Sequence, residues 1–193
     1  MGLIKPDKGT VRICGLDTKM ERVEVLKLIG YVPENPVCFQ YLTIREFLKF
    51  IWSLRGLKEG FEEALEYYLN IFELEGKKNV PIYKLSRGML QKVLVSAALM
   101  VKPKVLILDE PLSGMDPESQ YTFKEEVRKM ISKGATVLIS SHILDVVEKF
   151  CTRVGIINYG RLLVEGTIVE VKKRAESGED APLEEVFIKL IRK

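Results

Sequence analysis

The segment from Val105 to Asp109 limits the possible folds more than any other part of the sequence. Four apolar residues, Val-Leu-Ile-Leu, run without interruption into two carboxylates and a proline. A strand without alternation is typical of a parallel sheet that is covered on both faces. A second such run, Ala135 to Ser141, follows a helix that Asp116 and Pro117 are predicted to begin. The sequence therefore predicts an α/β fold with a mostly parallel sheet.

Helical periodicity dominates the middle of the chain. The segment Thr43–Glu46 matches a capping box, and the apolar residues after it recur at helical spacing. Further helices are predicted at Phe61 to Phe72 and at Ser86 to Met100. Residues 41–100 are therefore predicted to form a helical subdomain within one domain that spans residues 1–193.

Strand and turn signals mark the remaining segments. Gly9 to Asp17 alternates between glycines, which predicts a strand. Arg153 to Thr167 predicts a hairpin that turns at Asn158-Tyr159-Gly160. Residues 172–193 are predicted to form a polar, loosely held linker up to Pro182, followed by an amphipathic C-terminal helix.

Composition excludes several classes of protein. The 193 residues are 47% hydrophobic and 30% charged, which indicates a globular chain. The net charge of +3 is too small to argue by itself for a nucleic-acid partner. No apolar run approaches the roughly 20 residues needed to cross a bilayer. Three widely spaced cysteines, Cys14, Cys38 and Cys151, fit neither a disulfide framework nor a zinc site, which indicates a cytoplasmic protein.

Several short motifs carry candidate chemistry. Asp109 and Glu110 stand at the end of a parallel strand, where one carboxylate can bind Mg²⁺ and the next can deprotonate a water. His142, the only histidine, ends the second parallel run and could donate a hydrogen bond to a phosphate. At the start of a predicted helix, Ser86 offers a hydroxyl and Gly88 lets an anion approach the backbone.

Each of these motifs also has a purely structural explanation. Two acids can be solvated at a strand end, and a histidine can simply begin a helix. Ser86 can be an ordinary N-cap, as can Asp116 in the turn "LSGMDP". Each motif taken singly leaves the structural and the functional interpretation open. Only the order of the motifs along the chain favours one over the other.

The order "GYVPEN", "LSRGM", "VLILDEP", "SGMD" and "ISSH" resembles that of the ATP-binding-cassette (ABC) ATPases, particularly the nucleotide-binding domains of ABC transporters. The resemblance extends from Gly2 to about Gly166. It implies a P-loop NTPase-like, three-layer α/β core with a mostly parallel sheet. It also implies a helical subdomain and a remnant of an antiparallel β subdomain.

The resemblance implies roles for the motif residues. Glu110 looks like the catalytic base, and Asp109 looks like the Walker B acid that organises Mg²⁺. Glu34 stands where the family usually has the Q-loop glutamine, and its carboxylate can also ligate Mg²⁺. His142 looks like the switch histidine that contacts the γ-phosphate. Residues implied to contact nucleotide at the signature and the D-loop are Ser86, Arg87, Gly88 and Asp116.

Departures from the family pattern resemble an exporter-type subgroup. Besides Glu34, Arg87 and Met89 replace residues of the usual "LSGGQ" signature. The tail from Pro182 to Ile191 is also similar to the C-terminal helix of that subgroup. These departures favour an exporter-like partner.

The phosphate-binding loop of the family is missing from these 193 residues. G-x-x-x-x-G-K-[ST] occurs nowhere, and the only Gly-Lys pair, Gly76-Lys77, is followed by another lysine. In the family, that loop lies just before a segment like Gly2 to Gly15. We therefore expect an N-terminal truncation, through a fragment or a misassigned start at Met1. The alternative is a natural chain that has lost autonomous ATP binding.

The leading interpretation is an ATP-binding and ATP-hydrolysing subunit, using ATP and Mg²⁺, that powers translocation by a separate polytopic membrane permease. Such a subunit would pair with a second cassette and lie on the cytoplasmic face of the cell membrane, without a nucleic-acid partner. Two alternatives stay open: a soluble ABC ATPase that acts on DNA or ribosomes, and a truncated cassette that docks a partner without hydrolysis. The short helical block and the single cassette argue against the first alternative. The DNA upstream of Met1 would distinguish the second alternative from the leading interpretation, because an in-frame Gly-rich loop there would indicate an enzyme.

Overall fold

The computed structural model describes residues 1–35, 39–178 and 180–192. Cys38, one of the three cysteines, and Glu179, in the predicted linker, lie outside the described residues. The chain is divided into two compact units, Met1–Ser140 and Ser141–Lys193. That residues 1–193 form one domain remains a prediction.

The first unit combines short strands with five of the helices described. Its strands are β1 (Arg12–Ile13), β2 (Leu16–Asp17), β3 (Ile29–Val32), β4 (Val105–Asp109) and β5 (Thr136–Ser140). Its α-helices are α1 (Arg22–Leu28), α2 (Ile44–Leu54), α3 (Phe61–Ile71), α4 (Arg87–Met100) and α5 (Pro117–Ser132). Short 3₁₀ turns lie at Glu75–Lys77 and Ile82–Lys84.

Strands β3, β4 and β5 form a sheet with β4 in the middle, and their parallel pairing is the one that the sequence predicts. Ile107 stands in register with Tyr31 and Leu138, so these three side chains share one face of the sheet. On the opposite face, Leu106 and Leu108 are at most 1% exposed, whereas Leu138 is 63% exposed. The prediction that the strands are covered on both faces is therefore wrong for the face of Leu138.

Helix α4 covers the buried face of the sheet. A Cβ atom on Gly30 in β3 would lie 2.7 Å from the carbonyl oxygen of Ala98 in α4. It would also lie 2.9 Å from Cδ1 of Leu106, which shares that face. The helix therefore packs directly on the strand backbone, at a distance that only glycine permits.

Capping residues begin three helices where the sequence places them. Thr43 and Glu46 form the predicted capping box at the start of α2. Ser86 caps α4, and Asp116 caps α5, which has Pro117 in its first turn. Helices α2, α3 and α4 all fall within residues 41–100, so the helical content predicted for this block is confirmed.

The segment Gly9 to Asp17 differs from its prediction. It was predicted as one strand, but β1 and β2 pair with each other in an antiparallel hairpin. The two residues between them, Cys14 and Gly15, have φ angles of 51° and 83°. Positive φ at both central residues is the signature of a tight two-residue hairpin turn, which reverses the chain inside the predicted strand.

The second unit is built on the predicted hairpin. Its elements are α6 (Leu144–Phe150), β6 (Arg153–Asn158), β7 (Arg161–Thr167), α7 (Ile168–Arg174) and α8 (Leu183–Arg192). Strands β6 and β7 pair antiparallel, with Tyr159 and Gly160 at the turn, as predicted. Val154, Val164 and Val186 belong to an apolar cluster shared by the hairpin and the helices.

The loosely held linker predicted from Lys172 begins with ordered helix. Lys172 to Arg174 form the end of α7, which starts at a capping box between Thr167 and Glu170. Lys172 is buried, and its Nζ lies 2.6 Å from a carboxylate oxygen of Glu148 in α6. The polar composition of the segment was misleading because the capping box and this ion pair hold the helix.

Among the helices of the described ranges, none combines the length and the apolar character needed to cross a membrane.

Candidate functional site

Two neighbouring strands fix the position of Asp109 and Glu110. Asp109 is the last residue of β4 and stands in register with Ser140, the last residue of β5. The hydroxyl of Ser140 donates a hydrogen bond to Oδ1 of Asp109 and lies 3.4 Å from the carbonyl oxygen of Leu108. The backbone N–H of Glu110 donates to the carbonyl oxygen of Ser140 over 3.1 Å. Both acids are therefore held at the carboxyl edge of the sheet, where α/β proteins bind ligands.

Glu110 has an unusual backbone conformation. Its φ angle is 46°, in the left-handed region that favours glycine. The conformation is held because the N–H of Ser113 donates to the carbonyl oxygen of Glu110 over 3.1 Å. Left-handed backbone at a non-glycine residue costs on the order of 1–2 kcal/mol and is concentrated at functional sites. Five other described non-glycine residues also have positive φ, so the position at the sheet edge, more than this strain, favours a functional interpretation of the acid pair.

Glu34 lies at the same edge of the sheet. It is exposed and follows the end of β3 by two residues. Val32 at that strand end is in register with Leu108, the residue before Asp109. The three acids predicted to act together therefore follow adjacent parallel strands.

The donor atoms suit Mg²⁺ that is shared with a phosphate. Within residues 1–35, 39–178 and 180–192, no three His, Cys, Asp or Glu side chains are close enough to form a metal cage. Mg²⁺ is commonly held by one or two carboxylates, and waters and substrate phosphates complete its shell. Asp109 with Glu34 could supply that smaller set of hard oxygen ligands.

The start of α4 contains the predicted signature residues. Ser86 is the N-cap, and its hydroxyl accepts from the N–H of Met89 over 3.2 Å. Arg87 donates from its guanidinium to the hydroxyl of Ser113 over 3.0 Å. A Cβ atom on Gly88 would lie only 2.5 Å from the carbonyl oxygen of Gly114. All three residues therefore have a structural role inside the chain, and their contacts with nucleotide remain a prediction.

Asp116 is held by three donors. Its Oδ1 accepts from the N–H of Ser119 over 2.8 Å, and its Oδ2 accepts from the Ser119 hydroxyl over 2.8 Å. The Nζ of Lys92 lies 2.9 Å from the same Oδ2. The pKa of this carboxyl is held well below its usual range, mainly by the hydrogen bond from the Ser119 N–H and next by the one from Lys92. The residue is thus a charged N-cap, and its predicted role at a dimer interface is untested.

Sequence reasoning missed Gln91 and Lys92. The side-chain amide of Gln91 donates to the carbonyl oxygen of Pro111 over 3.0 Å, and Lys92 pairs with Asp116. A signal was available, because residues four apart on a helix share a face, as Arg87 with Gln91 and Gly88 with Lys92 do. A lysine at the head of the apolar run from Val93 also calls for a buried partner.

Comparison with known proteins identifies the family. The family model described as "ABC transporter" matches residues 1–113, which is more than half of the chain. The chain belongs to the ABC transporter family.

Relatives and a solved structure agree with this membership. The ABC transporter chain is 34% identical over 167 residues to Nod factor export ATP-binding protein I of Sinorhizobium fredii, covering 86% of this chain and 49% of that protein. It is 31% identical over 191 residues to the ABC-type transporter ATP-binding protein EcsA of Bacillus subtilis, covering 98% and 77%. The chain thus spans about half the length of the Nod factor export relatives.

The fold has a close counterpart among solved structures. A structure of the ATP binding subunit of an ABC transporter matches with a TM-score of 0.94 and 31% identity, covering 98% of this chain and 79% of that one. The predicted α/β fold class with a mostly parallel sheet is confirmed.

His142 of this ABC transporter chain belongs to the second unit. It is exposed and lies between the end of β5 at Ser140 and the start of α6 at Leu144. Its predicted action together with Asp109 and Glu110, which belong to the first unit, remains a prediction.

Proposed function

We propose that this chain is the ATP-binding subunit of an ABC transporter, or a part of that subunit, and that ATP hydrolysis there drives translocation by a separate membrane permease. One observation carries the proposal: Asp109 and Glu110 stand together at the carboxyl edge of a parallel sheet, with Glu110 in left-handed backbone. The names of relatives support it, since they include export and multidrug transporter ATP-binding proteins. An exporter-like permease fits these names best.

The acids divide the chemistry between them. Bound Mg²⁺ would supply positive charge against the phosphates. Asp109, oriented by the hydroxyl of Ser140, would hold the metal-bound waters in place. Glu110 would accept a proton from the water that attacks the terminal phosphate, as a general base does. His142 would donate a hydrogen bond to a γ-phosphate oxygen.

The start of α4 would face a second cassette. Ser86, Arg87 and Gly88 lie at a helix N-terminus, where N–H groups and the helix dipole favour an anion. Such an anion would be the ATP phosphate held by the other subunit of a dimer. Asp116 at the start of α5 is paired with Lys92 in the second turn of α4, so it would share that interface.

An apolar groove in the first unit suits the permease. It has a volume of about 900 Å³ and is lined by side chains of β3, α1, α2 and α4. Tyr31, Phe39 and Leu54 at this groove are all partly or largely exposed, although they are large and apolar. Exposed apolar patches of this kind mark sites of protein association. We place the permease contact there, next to Glu34.

A second candidate function rests on the sequence. The only Gly-Lys pair, Gly76-Lys77, lies in the 3₁₀ turn Glu75–Lys77 and not at the carboxyl edge of the sheet. These 193 residues therefore contain no phosphate loop of the usual pattern. Without that loop, Asp109 and Glu110 would repel a triphosphate. By itself, this chain fits a module that docks a permease or a second cassette without hydrolysing ATP.

Glu110→Gln tests the leading proposal in the longest polypeptide that the gene encodes. We expect kcat for ATP hydrolysis to fall by a factor of roughly 10² or more, because a general base contributes that much. MgATP binding should persist, since glutamine keeps the shape of the side chain. Glu118→Gln, at an exposed glutamate in the first turn of α5, is the matched control. Wild-type turnover in Glu110→Gln contradicts the assigned base, and a wild-type protein that binds permease but releases no phosphate supports the second candidate.

A further inference from the structure

The loop that follows β4 is attached to the start of α4 at several points. This loop, residues 110–116, begins with the proposed base Glu110 and ends at Asp116, and we call it the base loop. Gln91 donates to the carbonyl oxygen of Pro111 over 3.0 Å, one residue after Glu110. Lys92 reaches Asp116 at the other end over 2.9 Å. Between them, Arg87 contacts Ser113, and Gly88 packs on the carbonyl of Gly114.

The attachment at Lys92 is an ion pair between a buried lysine in an apolar helix and a half-exposed aspartate. Lys92 is 8% exposed, and the helical residues from Val93 to Met100 that follow it are buried. A lysine in such surroundings is costly unless its charge is paired. Its ammonium is paired with Asp116, which also caps α5 through the N–H of Ser119. One side chain of α4 therefore anchors both the base loop and the following helix.

The attachment at Gln91 acts beside the base itself. Gln91 is 5% exposed, and its amide donates to Pro111, which is also buried. A buried carbonyl that loses its donor is left unsatisfied, so this hydrogen bond is costly to break. The carbonyl of Pro111 belongs to the peptide unit one residue beyond Glu110, so the bond restrains the loop immediately after the left-handed residue.

We propose that Gln91 and Lys92 are positioning residues: they fasten the base loop to the first two turns of α4, so that Glu110 and the helix start move as one rigid body. With both ends tied and the middle packed, the seven-residue loop has little freedom to move independently. The proposal rests on the proposed function for its catalytic consequence, but not for the attachment itself. Neither residue touches a reacting atom.

Hydrogen exchange of the 193-residue chain tests the attachment. The N–H groups of Ser113 and Met115 bond within the base loop and report its opening. In Lys92→Met, which keeps the length and apolar stem of the side chain, we expect these amides to exchange at least about tenfold faster. Lys92→Arg should restore slow exchange, because it restores the charge. Lys149→Met, which removes an exposed lysine paired with Asp145, should change nothing in the loop.

The pattern of exchange separates positioning from general destabilisation. Faster exchange confined to the base loop supports the attachment. Equal acceleration throughout α4, or unchanged exchange in the loop, overturns it. Gln91→Leu is the second variant if Lys92→Met does not fold, and it should free the loop at the Pro111 end first. An unchanged loop in Gln91→Leu counts equally against the proposal.

Turnover in the longest polypeptide that the gene encodes tests the catalytic consequence. We expect Lys92→Met to lower kcat at least about tenfold with KM for MgATP unchanged, and Lys92→Arg to recover kcat. Unchanged kcat in a variant whose loop exchanges faster overturns the positioning role. If the wild-type protein hydrolyses no ATP, the proposed function fails, and the exchange experiment still decides whether the attachment exists.

Discussion

Gly88→Ala distinguishes packing from helix propensity as the reason for this glycine. Gly88 is the second residue of α4, where alanine should be the better helix former by up to about 1 kcal/mol. The structure predicts the opposite sign. The added Cβ would lie 2.5 Å from the carbonyl oxygen of Gly114, whereas Cβ atoms in proteins essentially never approach another heavy atom to less than 3.0 Å. A backbone atom must therefore move by about half an ångström, since no flexible side chain is in the way.

The size of the effect follows from two opposing contributions. Overpacking a site that cannot yield costs about 1–3 kcal/mol. Gly114 cannot yield easily, because Arg87 bonds to Ser113 on one side and Lys92 holds Asp116 on the other. If the overpacking costs about 2 kcal/mol and the propensity returns about 1 kcal/mol, the net destabilisation is about 1 kcal/mol. That corresponds to roughly a fivefold shift in the unfolding equilibrium.

Urea denaturation followed by the fluorescence of Trp52 is a suitable measurement. Trp52 is the only tryptophan of the chain and lies in α2, so its signal reports on the first unit. Gly76→Ala is the matched control, because nothing lies within 4 Å of the added Cβ and its φ is not positive. We expect the control to change the free energy of unfolding by less than about 0.5 kcal/mol. A Gly88→Ala protein at least as stable as the wild type would refute the packing argument.

Three further predictions concern nucleotide, dimer and pH. Isothermal titration of the 193-residue chain should detect no MgATP binding, because it lacks the phosphate-loop pattern, and tight binding would contradict this. In the longest polypeptide that the gene encodes, Ser86→Arg should abolish ATP-driven dimerisation in gel filtration, and unaltered dimerisation would argue against the contact across the dimer. The pKa of Glu148 is lowered mainly by the hydrogen bond from Lys172 and next by the one from the N–H of Leu183. The carboxylate therefore stabilises the second unit at pH values above the pKa that Glu148 has in the unfolded chain. The stability difference between wild type and Glu148→Gln, measured by urea titration with circular dichroism, should therefore stay constant from pH 7 to about 5. It should shrink as the pH falls below the unfolded value of about 4.3 and through the lowered folded pKa, and a difference that persists unchanged over that acidic range would contradict the ion pair.

Local signals explain the predictions that the structure confirms. The capping hydrogen bonds at Thr43, Ser86 and Asp116 each join residues three positions apart, so a short stretch of sequence contains both partners. The hairpin turn at Tyr159-Gly160 is equally local. The uninterrupted apolar run of β4 predicted a parallel strand, because such strands carry apolar residues on both faces. Asp109 and Glu110 directly follow the apolar part of that run, so the sequence also placed them at the end of a strand.

Contacts between distant residues decided the rest. The sequence by itself determined where α2, α4 and α5 begin, and it placed Asp109 and Glu110 at the end of a strand. Only the tertiary structure decided that Gly88 is a glycine because Gly114 lies against it, and that Lys92 is tolerated in an apolar helix because Asp116 neutralises it. These partners are more than twenty residues apart, and no periodicity or propensity records which side chains the folded backbone brings within contact distance.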